Sequence, residues 1–584
     1  MLQAFRILPF LLAVTIAAGF TAGLWAWLGR SIDIVDAPGG RFECLSYTPA
    51  IGDASPLKAK DGVFPVPAGS IASDMATLVR TTDCVRTYSM LGAQGDVLAH
   101  AAAAGMKVMV GIWIGADDKR NAREIERALT LAEAHPEAVR AIVVGNEVLL
   151  RREMTGERLA GIIRSVKTRT DLPVTYADIY EFWRRNPMVA EAVDIVTIHA
   201  LPYWDDPAPV DIDHVQAHVR GVIEQARATF PGKRLQIGEI GWPSAGRTRA
   251  GAVPSLVNEA RFVREFAAQS AAIGLPYNLI EAIDQPWKRV PEGTVGGYWG
   301  ILDRDREPKF PLTGPVSEWP RWRTAAGFTF GLALGVLLWG AGRRPALSWP
   351  RWLALGIVAP ATGATLWGLG NHLASIAIGW IGGIWAFFLM GVAVAGGVLL
   401  IAQVIGLTLP RPAGLTTVTA ALHHRRWNAA VGLGLLHWTV MLPAAVLALS
   451  IAVDGRHRDF LQLAFWLPAA GFAWLAWRTR RDGHPAPRAE EGWIAGLLVA
   501  CAPFCVDAIV NREALVWAGV CLLLALPWAG DAWAEGRYLL RVRQGPDSGP
   551  PRQHQRGEYG RRSGEGGVIE NHAEARCNQR RRSP

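Results

Sequence analysis

Ala141–Arg151 reads AIVVGNEVLLR. Ala141–Val144 is a short, apolar, largely β-branched run broken by Gly145, which is how a parallel strand buried on both faces reads. Behind the break stands a carboxylate, Glu147, at the carboxyl end of the strand. Leu235–Gly246, LQIGEIGWPSAG, has the same build: an apolar run, then Glu239, then a Gly-Trp-Pro turn. Two strand-end glutamates on one barrel rim can face each other across a sugar ring.

Outward from these two stretches, strand signals recur at Phe42–Tyr47, Cys84–Tyr88, Lys107–Ile114, Ala141–Gly145, Val174–Ala177, Ile195–His199, Leu235–Gly238 and Tyr277–Glu281. Helical patterns lie between them, at Ile71–Thr81, Gly95–Gly105, Asn121–His135, Thr155–Thr170, Ile212–Phe230 and Ser255–Gly274, with a short one at Pro187–Ala192. Eight such strands alternating with helices over Arg41–Lys309 predict an α/β fold, a (β/α)8 TIM barrel occupying residues 41–315. A doubly wound open sheet is the alternative. It would carry a Gly-rich phosphate turn after its first strand, and Cys44–Gly52, CLSYTPAIG, has none.

The flanks are apolar. The chain has 584 residues, of which 50% are hydrophobic, and a net charge of +9 concentrated in the last forty-odd residues and in short loops of the second half. That placement fits anchoring loops at a membrane better than a nucleic-acid groove. Ile7–Leu28, preceded by Arg6, is long enough to cross a ~30 Å hydrocarbon core. It is read as an uncleaved signal-anchor (residues 1–30) in preference to a removed signal peptide.

After residue 321, apolar spans run Ala325–Ala341, Trp352–Leu369, Leu373–Leu409, Ala429–Val453, Phe460–Trp477, Gly492–Val510 and Ala514–Trp533. They predict a membrane domain of about seven helices over residues 321–535, the third span taken as one crossing plus an interfacial or re-entrant piece. Alternate loops are basic: Arg343, Arg344 and Arg351; Arg411, Arg425 and Arg426; Arg478–Arg481; and Arg537 onward. These loops are placed inside, which puts both termini in the cytoplasm and the barrel outside. The polar, Arg/Gly-rich Gln544–Pro584, within a tail from residue 540, is expected to be disordered. Of six cysteines, only Cys44 and Cys84 fall in the barrel region, on neighbouring strands, where a disulfide and two buried thiols both fit.

Cleaving a glycosidic bond by the common route needs one protonated and one ionised carboxyl; at ~5–5.5 Å separation the second attacks directly and configuration is retained. Strands four and seven end on opposite sides of one rim, so Glu147 and Glu239 have the required placement. The motifs VVGNE and IGEIGWPS resemble the acid and nucleophile motifs of glycoside hydrolase family 17, a retaining (β/α)8 family acting on β-1,3-glucans. The resemblance covers roughly Arg41–Lys309, and implies Glu147 as general acid/base, Glu239 as nucleophile and Asn146 as the partner of the sugar 2-hydroxyl.

Other segments are similar to further parts of that family's rim. RTYS supplies Arg86 and Tyr88 at strand two, and HALPYW supplies Tyr203 and Trp204 after strand six. EAIDQPWK supplies Glu281, Gln285 and Lys288 at strand eight. Gln285 stands where plant members carry Glu; Glu281 and Asp284 are near enough to substitute. Among the barrel tryptophans, Trp242 and Trp204 are the expected sugar contacts, and His199 a rim hydrogen-bonder. No metal-ligand cluster of plausible spacing is seen, and no cofactor is expected.

Few charges interrupt the helical half; Asp507 and His437 are the exceptions. That is unlike a transporter or proton pump. Bacterial membrane-bound proteins of this layout resemble enzymes of β-1,3/1,6-glucan assembly. The leading expectation is a transglycosylase of the bacterial inner membrane, its barrel in the periplasm and β-glucan chains as partner. A β-1,3-glucan hydrolase with the same residues is the second, and a membrane glucan-export or binding component with an inactive barrel the third. A membrane glucan synthase is left open as a protein partner.

Overall fold

The computed structural model describes residues 4–530 except 53, 57–62, 208, 343–346 and 480–488, together with residue 533. The expected tail and the basic positions Arg343, Arg344, Arg481 and Arg537 lie outside the described residues.

Eight parallel strands close into a barrel in chain order. They are β1 (Leu45–Ser46), β2 (Cys84–Arg86), β3 (Lys107–Ile112), β4 (Val139–Asn146), β5 (Val174–Ile179), β6 (Ile195–Ala200), β7 (Arg234–Ile240) and β8 (Tyr277–Leu279). Closure runs through Leu45, which pairs with Val85 on one side and Leu279 on the other. The middle strands are buried almost end to end, which explains their unbroken apolar runs. The open-sheet alternative is excluded by this ring.

Helices α2 (Ser70–Leu78), α3 (Asp96–Ala103), α4 (Asp118–Ala134), α5 (Gly156–Lys167), α6 (Tyr180–Arg185), α7 (Pro187–Ala192), α8 (Val215–Thr229) and α9 (Leu256–Ile273) surround the ring. Their starts follow capping chemistry. The Asp117 carboxylate accepts from the backbone N–H groups of Lys119 and Arg120, and Thr155 and Ser255 do the same for Arg158 and Asn258. Such caps contribute about 1 kcal/mol each. Helix α6 has no counterpart among the sequence expectations; its YEFWRR is too short for helical periodicity to show.

Cys44 and Cys84 are joined by a disulfide, which resolves the two readings of the sequence. A closed loop of 40 residues restricts the unfolded chain by roughly 3–5 kcal/mol in the chain-entropy picture.

The apolar flanks are helical. The N-terminal α1 (Ala4–Leu28) does not stand apart as a tether: Ala13 and Ala17 share a buried cluster with Leu337 of α10 (Trp322–Ala341) and Leu355 of α11 (Trp349–Ile376). Trp25 donates its indole N–H to Thr329, and Ser31–Ile32, just past α1, pairs antiparallel with Val316–Ser317, just before α10. Helices α12 (Gly379–Val404), α13 (Leu415–His424), α14 (Ala429–Asp454), α15 (Gln462–Arg478), α16 (Ala489–Cys501) and α17 (Arg512–Ala525) follow.

The long third span is therefore divided. Leu373–Ile376 ends α11, one helix covers Gly379–Val404, and a separate short helix, α13, comes later. Five helices are long and apolar enough to cross a membrane among the described residues: Ile7–Leu28 within α1, α10, α11, α12 and α14. The last three expected spans correspond to helices of 17, 13 and 14 residues. These are shorter than the ~20 residues a crossing needs.

Candidate active site

Both rim glutamates follow a break in register. Between β4 and β5, Val143 pairs with Thr175 and Asn146 with Ala177, three steps on one strand against two on the other. Between β6 and β7, Ile198 pairs with Ile237 and His199 with Glu239, so Gly238 is the extra residue. Bulges at barrel rims re-aim the side chains beyond them. Gly145 takes φ +91°, and a Cβ there would sit 2.7 Å from Val148 Cγ2. Glu147 itself has φ 53°, left-handed backbone that a non-glycine residue adopts at a cost and that clusters at functional sites.

The breaks bring the two side chains together. A carboxylate oxygen of Glu147, one of Glu239 and a ring nitrogen of His199 all lie within 4.8 Å of one another. They stand at a cleft of about 290 Å³ lined also by Thr48, Tyr88, Ser89, Trp113, Arg120, Asn146, Trp287, Lys288 and Glu292. Topology assembles this three-ligand cluster from residues 52 and 40 positions apart, so no local spacing could reveal it. Two contacts turn it away from cations. The Arg86 guanidinium lies 3.2 Å from Glu239 Oε1, and His199 Nε2 is directed at Asn146 Oδ1 at 3.0 Å.

Glu239 is 5% exposed and closely held. Arg86 donates to its Oε1 and to the Gly238 carbonyl (2.7 Å), and Tyr88 donates its hydroxyl to the same Oε1 at 2.9 Å. Burial alone would raise this carboxyl; His199, Arg86, Lys288 and the Tyr88 hydrogen bond together bring it below the usual carboxylate range. Of these, Arg86 is the fixed positive charge at contact distance.

Glu147 is pushed the other way, up to about 8, first by burial and then by the negative charges of Glu239 and Asp178. Burial takes His199 down to about 4, so its imidazole is neutral near pH 7. A neutral ring with its proton on Nε2 donates to Asn146 Oδ1, which also accepts from Arg86 Nη2 at 2.5 Å. With Oδ1 occupied twice, the Asn146 amide N–H groups are left for the cleft.

The other expected positions divide. Lys288 lines the cleft and pairs with Glu281 at 2.7 Å. Glu281 is buried beneath it, a support for Lys288 and not a cleft wall. Gln285 is also buried; it accepts from the Trp287 indole at 2.8 Å and donates to the Thr48 carbonyl, so it orients a neighbour. Asp284 is engaged by Lys309 and the Gly300 N–H.

Of the expected sugar contacts, Trp242 and Tyr203 are corrected by packing, and the half-buried Trp204 lies outside the cleft lining. Trp242 is fully buried, with its indole N–H on the Val253 carbonyl, and Tyr203 is fully buried with its hydroxyl on the Arg247 carbonyl. Trp204 stacks on Trp299 at 6.4 Å and carries Arg456 over its ring. The cleft tryptophans are Trp113 and Trp287. Trp113 stands one residue past the end of β3, a strand-end position of the kind that marked Glu147. Glu292 and Arg120 carried no sequence signal.

Residues 44–300 match the model of the BtgE/BtgC glycoside hydrolase domain. The chain is 29% identical over 263 residues to a glucan 1,3-beta-glucosidase of Arthroderma benhamiae, a match over 42% of this chain and 84% of that one. It is 26% identical over 313 residues to a probable glucan endo-1,3-beta-glucosidase, btgC, of Aspergillus fumigatus, where it spans 47% of this chain and only 43% of the relative. It also resembles the crystal structure of a glycoside hydrolase family 17 beta-1,3-glucanosyltransferase from Rhizomucor miehei: 26% identity, TM-score 0.40, 47% of this chain and 97% of that one. Over residues 44–300 the chain is therefore similar to a glycoside hydrolase domain, and the relatives that share this region are named as glucosidases.

Proposed function

We propose that this protein is a membrane-anchored retaining transglycosylase acting on β-1,3-glucan chains, with Glu239 as nucleophile and Glu147 as general acid/base. The observation that carries the reading is the glutamate pair: two carboxyl groups within 4.8 Å at one cleft, one pushed up to about 8 and the other held low. That separation suits direct attack and leaves little room for a water between them.

In the first step a Glu239 oxygen bonds to the anomeric carbon, the glycosidic C–O bond breaks, and the leaving oxygen takes the Glu147 proton. Asn146 offers its amide N–H to the 2-hydroxyl as charge develops on the ring. In the second step the Glu147 carboxylate takes a proton from an acceptor hydroxyl, whose oxygen displaces Glu239. A sugar acceptor gives transfer and water gives hydrolysis. The hydrolytic reading draws on the Arthroderma and Aspergillus relatives, which are named glucosidases.

The barrel is placed outside the cytoplasm, at a bacterial inner membrane, with the N-terminus inside. The alternation of basic loops supports this placement. The relatives, which are fungal, do not bear on it.

Product analysis of the full chain on laminari-oligosaccharides is the test. Products longer than the substrate are expected. Shorter products alone would replace transfer by hydrolysis, and unchanged substrate would leave only a binding role.

A further inference from the structure

The carboxyl-end rim of the barrel does not face open solvent all round. Its β6, β7 and β8 loops rest on connections of the helical half. Arg456, between α14 and α15, pairs with Asp206. Asp507, between α16 and α17, accepts from the Ala250 N–H, and Asn511 donates to the Thr248 carbonyl. Asp507 is thus a docking group for the barrel rim.

The contacts are closest on the segment after β8. Arg289 donates from Nη1 to the carbonyls of Ser375 (2.8 Å) and Ala377 (3.1 Å), and Tyr298 donates its hydroxyl to Ser375 (3.0 Å). Thr294 donates to Asp459 at 2.6 Å, and His457 Nδ1 donates to the Glu292 carbonyl at 3.0 Å. Gly293 lies so close to His457 that a Cβ would be 2.5 Å from its carbonyl oxygen. Ser375 and Ala377 mark the C-terminal end of α11, where the last carbonyls have no intrahelical donors and a cation is favoured.

This same segment carries Trp287, Lys288 and Glu292 into the cleft. Among the described residues lining the cleft, none comes from the helical half, so its influence must pass through the segment. We propose that the end of α11 and the α14–α15 connection clamp residues 286–298, and that Arg289 is a positioning residue that sets Lys288 and Glu292 against the glutamate pair. The helical half is then a working part of the enzyme and not only its tether.

Glu239 is faced by Arg86 and Tyr88 from the β2 end, Glu147 from β4, His199 from β6, and Lys288 and Glu292 from the clamped segment; Glu281 neutralises part of Lys288. Loosening the clamp withdraws Lys288 and Glu292 together; Lys288 is the stronger influence on Glu239, so the Glu239 carboxyl rises and the acid limb of the pH profile moves up.

The test uses the full chain in detergent micelles with laminarihexaose. Arg289→Ala is expected to lower kcat roughly tenfold with little change in KM, since small misplacements act on the transition state. The acid limb of kcat/KM should move upward, and hydrogen exchange of the 286–298 peptide should quicken while the β7 peptide keeps its rate. Arg289→Lys, which keeps a cationic donor group, should recover much of the loss, and Tyr298→Phe should show the same changes in smaller degree if Arg289→Ala does not fold. Arg456→Ala, at the exposed edge of the seam, should leave the acid limb in place.

Parent values of kcat, acid limb and exchange in a folded Arg289→Ala chain would overturn the clamp, as would equal changes in Arg456→Ala. The kinetic arm rests on the transglycosylase reading. If the unaltered chain does not act on laminarihexaose, that reading fails, and exchange alone still decides the clamp.

Discussion

The ends of β4 and β7 are built alike and work under different conditions. Each strand carries a glycine, a break in register and then a glutamate. Glu239 is enclosed, with Arg86 and Tyr88 on one oxygen. Glu147 has left-handed backbone and no side-chain hydrogen bond among the described residues, and it feels the charge of Glu239 and Asp178. The same side chain is therefore kept ionised at one end and protonated at the other. Neighbours, not residue type, separate a nucleophile from an acid.

The harshest way to break the comparison is to remove the held member. Glu239→Ala should lower both transfer and hydrolysis on the order of 10⁴-fold or more, measured as product formation from laminari-oligosaccharides. Residual activity within tenfold of the parent would show that some other group attacks.

The next effect is selective. Glu147→Gln should cost roughly 10²–10⁴-fold on laminari-oligosaccharides, yet leave the first step on an aryl glucoside with a good leaving group nearly intact. Equal losses on both substrates would remove Glu147 from the acid role.

The pH profile sharpens the contrast further. With Glu147 as the proposed acid, kcat/KM should fall tenfold per unit above about pH 8. With Glu239 as the proposed nucleophile, the acid limb should lie below the usual carboxylate range. Arg86→Met should shift that limb upward, because the contact charge that favours the ionised form is lost. An acid limb left in place would assign the low value to another group.

The smallest effect isolates the coupling between the two ends. In Glu239→Gln the Glu147 carboxyl, followed by NMR, should titrate below about 8 and still above an ordinary glutamate. The repulsion is gone, but burial, the larger cause, remains. A value unchanged from the parent would mean that burial accounts for the whole shift.

Much of the barrel was legible because its strands are buried on both faces and its glutamates stand where strands stop. All eight strand signals correspond to barrel strands, and the motifs around Glu147 and Glu239 led to one cleft. The aromatic contacts were not legible. Trp242 and Trp113 both follow strand ends, and only packing reveals that Trp242 turns in against Phe262 while Trp113 opens on the cleft.

The helical half was readable as apolar helix but not as individual elements. Hydropathy does not show where Leu373–Leu409 is broken, or that Asp507 and His457 reach the barrel. Such contacts join residues more than 150 positions apart, and neither partner carries a local pattern.

The pairing of Ser31 with Ser317, beside the Trp25–Thr329 bond, has a practical corollary. Everything between those serines enters and leaves by one doorway, as an insert does in a host gene. A short Gly/Ser bridge from α1 to α10 should excise the sugar-handling cassette and leave a helical host that still assembles, because chain ends that lie side by side tolerate such splicing. A host that fails to accumulate as folded protein would show instead that the cassette is what brings the first helix to its partners.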